Sequence, residues 1–232
     1  MPLSSWRTST LAALSALGLS LAACGGASSD EAAPAADSAA ADESPSPAGA
    51  LGEMALGDPD AKVTIVEYAS VTCPHCAAFH ENIFPAIKKN YIDTGKVRFV
   101  FREFPTAPTS IAVAGSMIAR CAADKGGMDA YFLVLDALFK TQDTWIYQGD
   151  TRTELIKIAS QAGMDEDAFD ACLNRQELID LINKNIREGR EEYEINSTPS
   201  FVINGQTRHF STVEDASKVI DEALKSAEDE DA

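Results

Sequence analysis

The chain is expected to fold as an α/β domain in which a βαβ unit, a long helical block and a β-hairpin with a closing helix follow one another. Three stretches carry this expectation. "AKVTIVEYAS" is rich in β-branched residues and free of Gly and Pro, which predicts a buried strand. Val63, Ile65 and Glu67 fall on one of its faces, and Thr64, Val66 and Tyr68 on the other. "PHCAAFHENIFPAIKKNYI" then places Phe79, Ile83 and Ile87 at four-residue spacing, a helical stripe with Pro85 as a kink. "GKVRFVFREF" reads as a second strand, and the right-handed crossover rule favours a parallel pair.

From Ser110 to Tyr193 no strand pattern is found. "SIAVAGSMIARCAADKG", "MDAYFLVLDALFK", "TRTELIKIASQAG", "DEDAFDACLN" and "QELIDLINKNIREGREEY" each show helical apolar spacing between Gly, Asp or Asn breaks. "TPSFVING" and "QTRHFS" read as two short strands turning at Asn204-Gly205, a strong hairpin signal. "TVEDASKVIDEALKS" closes the domain as a helix with Thr212 as N-cap and Asp215 three residues on.

The flanks differ in composition. Arg7 and the apolar stretch Leu11 to Ala23 predict a signal peptide over 1–23, because thirteen residues rise only about 20 Å as a helix and cannot span a bilayer. Its end, Leu21-Ala22-Ala23-Cys24, resembles a bacterial lipobox, which implies lipid modification of Cys24; the bland alternative is an ordinary cleaved signal. Gly25 in place of Asp implies sorting to the outer membrane where the host has one. Residues 24–50 form the lipidated cysteine and an Ala/Ser/Pro-rich tether with no basic residue, expected to be disordered. Residues 227–232 form an acidic tail expected to fray. The folded domain is placed at 51–226, with its helical insertion at about 107–193.

A net charge of −17 over 232 residues argues against nucleic acid as a partner, since backbone binding needs a basic face. The 45% hydrophobic content suits a globular core. Five cysteines are an odd number that becomes four if Cys24 is acylated. Export would place those four where disulfides persist. Cys121 and Cys172 are then expected to form a structural bridge, with two buried free thiols as the alternative.

The close pair, Cys73-Pro74-His75-Cys76, is the candidate for chemistry. Its position between a strand and a helix puts Cys73 at a helix start, where unpaired N–H groups and the positive dipole end favour a thiolate. Pro74 suits the first helical position, because its missing N–H costs nothing there. His75 adds a donor or positive charge beside the sulfur. A stabilised thiolate stabilises the reduced state and makes the disulfide oxidising. Half a zinc site is the competing reading of Cys-x-x-Cys. The histidines and remaining cysteines are not spaced to complete it, so no metal and no cofactor is assigned, and transient copper handling is the form that alternative would take.

Taken together, "VTIVEYASVTCPHC", "ARCAADKGGMDAYFLVLDALF" with "FDACL", and "STPSFVING" resemble the DsbA-like thiol:disulfide oxidoreductases of the thioredoxin superfamily, over about Leu51 to Lys225. The resemblance implies a thioredoxin fold with an inserted helical domain. It implies a dithiol oxidase that donates the Cys73–Cys76 disulfide to exported proteins with reduced cysteines and is reoxidised by a membrane partner. By the same resemblance Glu67 matches a buried acid that moves the proton of the inner cysteine. Pro199 matches a cis-proline opposite the disulfide, where exposed backbone pairs with extended substrate, and Thr198 shapes that neighbourhood. A reductase or isomerase would use the same site, and a non-catalytic envelope scaffold would not need the thiols. Asn196-Ser197-Thr198 is read as an accidental sequon, Phe79, Phe132 and Phe139 as core, His80 as a helix-surface residue, and Arg102 and Glu103 as solvated charges.

Overall fold

A computed structural model describes residues 49–230. The signal segment, Cys24 and nearly all of the tether lie outside the described residues. Five strands form one sheet: β1 (Met54–Leu56), β2 (Val63–Ala69), β3 (Val97–Glu103), β4 (Ser200–Ile203) and β5 (Gln206–Arg208). Their order is β1-β3-β2-β4-β5, with β2 and β3 parallel and every other pair antiparallel. β2 is therefore central, which suits its unbroken β-branched run. β1 was not expected. Three residues leave no alternation to read, and Met54 owes its place to pairing with Phe101.

Between β2 and β3 the chain forms α1 (Pro74–Asn82), the short turn α2 (Phe84–Ile87) and a π-helical segment, Lys88–Ile92. The expected kink is a break. α1 ends at Ile83, whose φ of −116° departs from ideal helix values, and Pro85 sits in the first turn of α2, where it needs no N–H partner.

The insertion holds α3 (Thr109–Lys140), a π-helical turn at Thr144–Gln148, α4 (Thr151–Ser160), α5 (Glu166–Leu173) and α6 (Gln176–Tyr193). The two helices expected between Ser110 and Lys140 run together as α3, broken at Gly126 and Gly127, the latter at φ 64°. Cys121 on α3 and Cys172 on α5 are disulfide-bonded, which ties these two helices together. After β4, Asn204 (φ 46°) and Gly205 (φ 78°) make the hairpin turn to β5. The Asn204 side chain accepts from the Thr64 N–H and fixes that turn to β2.

The closing helix, α7 (Val213–Glu230), starts with the Thr212 hydroxyl accepting from the Asp215 N–H. It runs through residues 227–230, which were expected to fray. "SAEDE" contains no breaker, and Ala227 packs against the core. Ala50, assigned to the tether, belongs to the domain. It is buried, its N–H donates to Asp124 Oδ1 at 2.7 Å, and its carbonyl accepts from Arg120 at 2.9 Å.

The sheet separates two apolar clusters. Val63, Ile65 and Ala69 of β2 face the larger one, built with α1, α3 and α7. Tyr68 faces a smaller one with Phe104, Ile195 and Val202. α6 covers that side closely enough that a Cβ on Gly189 would lie 2.8 Å from Tyr68 Cε1.

One expectation about charge is overturned. Glu103, read as solvated, is 1% exposed at the end of β3. Arg120, also 1% exposed, donates from Nη2 to its Oε2 at 2.8 Å, and its Nε lies 2.7 Å from Oε1 as an ion-pair contact outside hydrogen-bond geometry. Tyr131 and Asn185 also donate to the carboxylate, at 3.1 and 2.7 Å. An ion pair this deep survives because its remaining lone pairs are occupied. Arg102 is partly exposed and pairs with Glu53 at 3.0 Å.

Candidate active site

β2 ends at Ala69, and Ser70–Thr72 carry the chain past the C-terminal end of this central strand to Cys73, the N-cap of α1. The turn is held from below. Ser70 Oγ accepts from the Thr106 N–H at 3.0 Å, and Gln142 donates to the Val71 and Cys73 carbonyls at 2.7 and 3.0 Å. Gln142 lies between the long α3 and the turn at Thr144 and is itself buried. It places Cys73 from the insertion side. Nothing in its local sequence announces this, since its acceptors are about seventy residues away.

Cys73 and Cys76 are both free thiols. Cys73 is 7% exposed and Cys76 fully buried. The two sulfurs differ sharply in acidity. Hydrogen bonding from Cys76 leads in lowering Cys73 from an ordinary 9.0 to about 5; the Thr198 side chain and the N–H groups of Cys76 and His75 add to it and together outweigh burial. Cys76 is pushed well above the ordinary thiol range, by burial first, then by the hydrogen bond to Cys73 and the nearby Glu67 charge. Pro74 occupies the first helical position, and His75 is exposed beside it.

The segment before β4 approaches from the other side. Thr198-Pro199 is a cis peptide, as is Ala107-Pro108. The Cys73 thiol lies 3.4 Å from the Thr198 carbonyl oxygen. A cleft of about 480 Å³ opens next to the pair, with His75, Phe79, Thr198, Pro199, His209 and Phe210 in its walls.

Beneath Cys76, Glu67 sits fully buried in β2, paired in register with Phe101 and Phe201. Its Oε2 lies 2.8 Å from His80 Nε2, and its Oε1 has no hydrogen-bond partner among the described residues. The expectation that His80 is a helix-surface residue is thus corrected. Its side chain is 7% exposed and stacks on Phe139 with ring centroids 4.3 Å apart. Phe79 and Phe139 are core, while Phe132 is partly buried. No group of three or more His, Cys, Asp or Glu side chains among the described residues is placed to hold a metal ion. Cys73, Cys76, Glu67, Thr198 and Pro199 therefore converge at one end of the sheet, with His80 and Gln142 added by the structure.

Comparison with known proteins agrees with this geometry. The family model described as Thioredoxin matches residues 50–222. The chain is 36% identical over 174 residues to a Rickettsia typhi protein assigned by name to the protein-disulfide oxidoreductases. That match covers 75% of this chain and 62% of the relative, so the chain spans under two thirds of its length. The crystal structure of Wolbachia pipientis alpha-DsbA1 superposes with a TM-score of 0.70 at 31% identity, covering 78% of this chain and 95% of that one. BdbD from Bacillus subtilis shares the fold, with a TM-score of 0.64 at 23% identity. The chain belongs to the DsbA-like proteins of the thioredoxin superfamily.

Proposed function

We propose that the protein is an extracytoplasmic dithiol oxidase that donates a Cys73–Cys76 disulfide to exported proteins with reduced cysteines. The observation that carries this reading is the split between the two thiols, with Cys73 lowered to about 5 and Cys76 raised. A substrate thiolate attacks Cys73 Sγ, the Cys73–Cys76 bond breaks, and Cys76 leaves and takes a proton. A second substrate thiolate then attacks the substrate sulfur of the mixed disulfide. Cys73 departs as a stabilised thiolate, which makes it a good leaving group. The cleft walled by Phe79, Pro199 and Phe210 offers an apolar seat for a substrate segment, and the backbone at Thr198 offers strand-like hydrogen bonding. Lipid on Cys24 would hold the domain at the cell envelope, at the outer membrane where there is one. A membrane partner would return the reduced pair to the disulfide.

A redox titration of the Cys73–Cys76 pair tests the direction. A potential at or above about −150 mV is expected, whereas a value near about −270 mV would make the protein a reductase. Changing Cys73 to Ser should abolish oxidation of a reduced dithiol peptide. Persistence of that activity would remove the site altogether.

A further inference from the structure

Cys76 must exchange a proton each time the pair turns over, yet it is fully buried. Glu67 lies beneath it and is just as deep, so the carboxylate cannot meet solvent directly. The side chain that joins Glu67 to the outside is His80, through Nε2 at 2.8 Å from Oε2. The histidine stands in the walls of two cavities, one of about 100 Å³ and one of about 700 Å³, on the far side of α1 from the Cys73 cleft. Glu81, Asp136 and Lys140 stand in both walls with it.

On this basis we infer that His80 is a positioning residue that carries the proton between solvent and Glu67 while Cys76 changes its protonation state. The inference rests on the oxidoreductase reading and deepens it. When a substrate thiolate attacks Cys73 and the Cys73–Cys76 bond breaks, Cys76 is released as a thiolate. A protonated His80–Glu67 pair supplies one proton to that sulfur through the carboxylate and is left one proton poorer. His80 then recovers the proton at its other ring nitrogen from the cavity side. When an oxidising disulfide on the membrane partner takes the two electrons and re-forms the Cys73–Cys76 bond, the same transfer runs outward, and Cys76 returns its proton through the carboxylate and His80 to solvent.

Two features of the site fit this role. Glu67 Oε1 is unpartnered among the described residues, which leaves one carboxylate oxygen for the proton while the other is held by the ring. The His80 ring stacks on Phe139 at a centroid distance of 4.3 Å and meets Phe84 at a tilt at 4.9 Å, which fixes it with one nitrogen facing Glu67. The titratable and charged groups around the ring are Glu67 from β2, Glu81 from α1, Lys88 from the π-helical segment, and Asp129, Asp136 and Lys140 from α3. The exposed members are of mixed sign and lie in the outer cavity, so Glu67 remains the dominant inward partner.

The test uses the oxidised protein and a reduced dithiol peptide, with the rate of peptide oxidation followed across neutral and mildly acidic pH. His80→Gln keeps a hydrogen-bonding group toward Glu67 but cannot carry the proton. It should slow the reaction by about tenfold or more and erase an inflection of the wild-type pH profile, while the Cys73 thiolate still forms. In His80→Ala, free imidazole added to the buffer should restore much of the lost rate. A His80→Gln protein with the wild-type rate and profile overturns the inference. So does a slow His80→Ala protein that imidazole leaves unchanged, because the loss would then be structural. Cys73→Ser is run beside them. If it still oxidises the peptide, the oxidoreductase reading itself fails, and if it is inactive, the His80 outcome bears on the relay alone.

Discussion

Lowering the Cys73 pKa from 9.0 to about 5 makes the stability of the reduced protein depend on pH in a way that can be isolated. The folded state binds this proton less tightly than the unfolded chain. The stabilisation is therefore greatest above the unfolded value and is lost as pH falls through about 5. One pKa unit corresponds to about 1.4 kcal/mol, so a protein at about pH 7.5 gains roughly 3.4 kcal/mol from this group and at about pH 4.5 only about 0.2. Cys76 does not disturb this window, because its pKa is raised and it stays protonated in both states. Surface carboxylates such as Asp150 and Asp170 are lowered and do contribute on the acid side, so a reference protein must share them. The measurement is urea unfolding of the reduced wild type and of Cys73→Ser in the same reductant over this pH range. The stability difference between them should change by about 3 kcal/mol, with the change concentrated above about pH 5. The ultraviolet absorbance of the thiolate should titrate at the same midpoint. At about pH 7 the same free energy, roughly 2.7 kcal/mol, raises the potential of the pair by about 60 mV over one with an ordinary thiol. A flat difference, or a thiolate that appears only near 9, would refute the argument that the N-cap and its hydrogen bonds activate Cys73.

Two further outcomes follow from buried features away from the thiols. Glu103→Gln leaves the Arg120 guanidinium in the core without its anion and should cost about 3–5 kcal/mol, read from the urea midpoint. Replacing Cys121 and Cys172 together with Ser opens a loop of 51 residues and should cost up to about 4 kcal/mol, seen as a lower Tm, while the potential of the Cys73–Cys76 pair stays where it was.

What could be read from the sequence was set by how local each signal is. The strands Val63–Ala69 and Val97–Glu103 announce themselves because each is dense in β-branched and aromatic residues with no Gly or Pro, and the Asn204-Gly205 turn because few residues accept its positive φ. β1 is invisible, since three residues carry no period and their pairing with β3 is a long-range event. The thiol pair and its helix start are adjacent in the chain, so their juxtaposition was open to reading, whereas Glu67 was singled out through the family resemblance, six residues before Cys73. Two buried polar groups escaped although each carried a signal in its own spacing. Glu103 keeps the parity of Phe99 and Phe101, and its burial follows from that face. What makes burial tolerable is Arg120, Tyr131 and Asn185, which come from α3 and α6 far along the chain. His80 falls four residues after Cys76 and three before Ile83, completing with Phe79 the stripe that a buried helix face requires. A polar residue on such a stripe is a cost unless a partner waits opposite. Glu67, itself a cost on the central strand, is that partner. Each of the two residues is difficult to place alone, and the i, i+4 step from Cys76 puts His80 on the same face of α1, where its ring meets the Glu67 carboxylate whose charge acts on the Cys76 thiol.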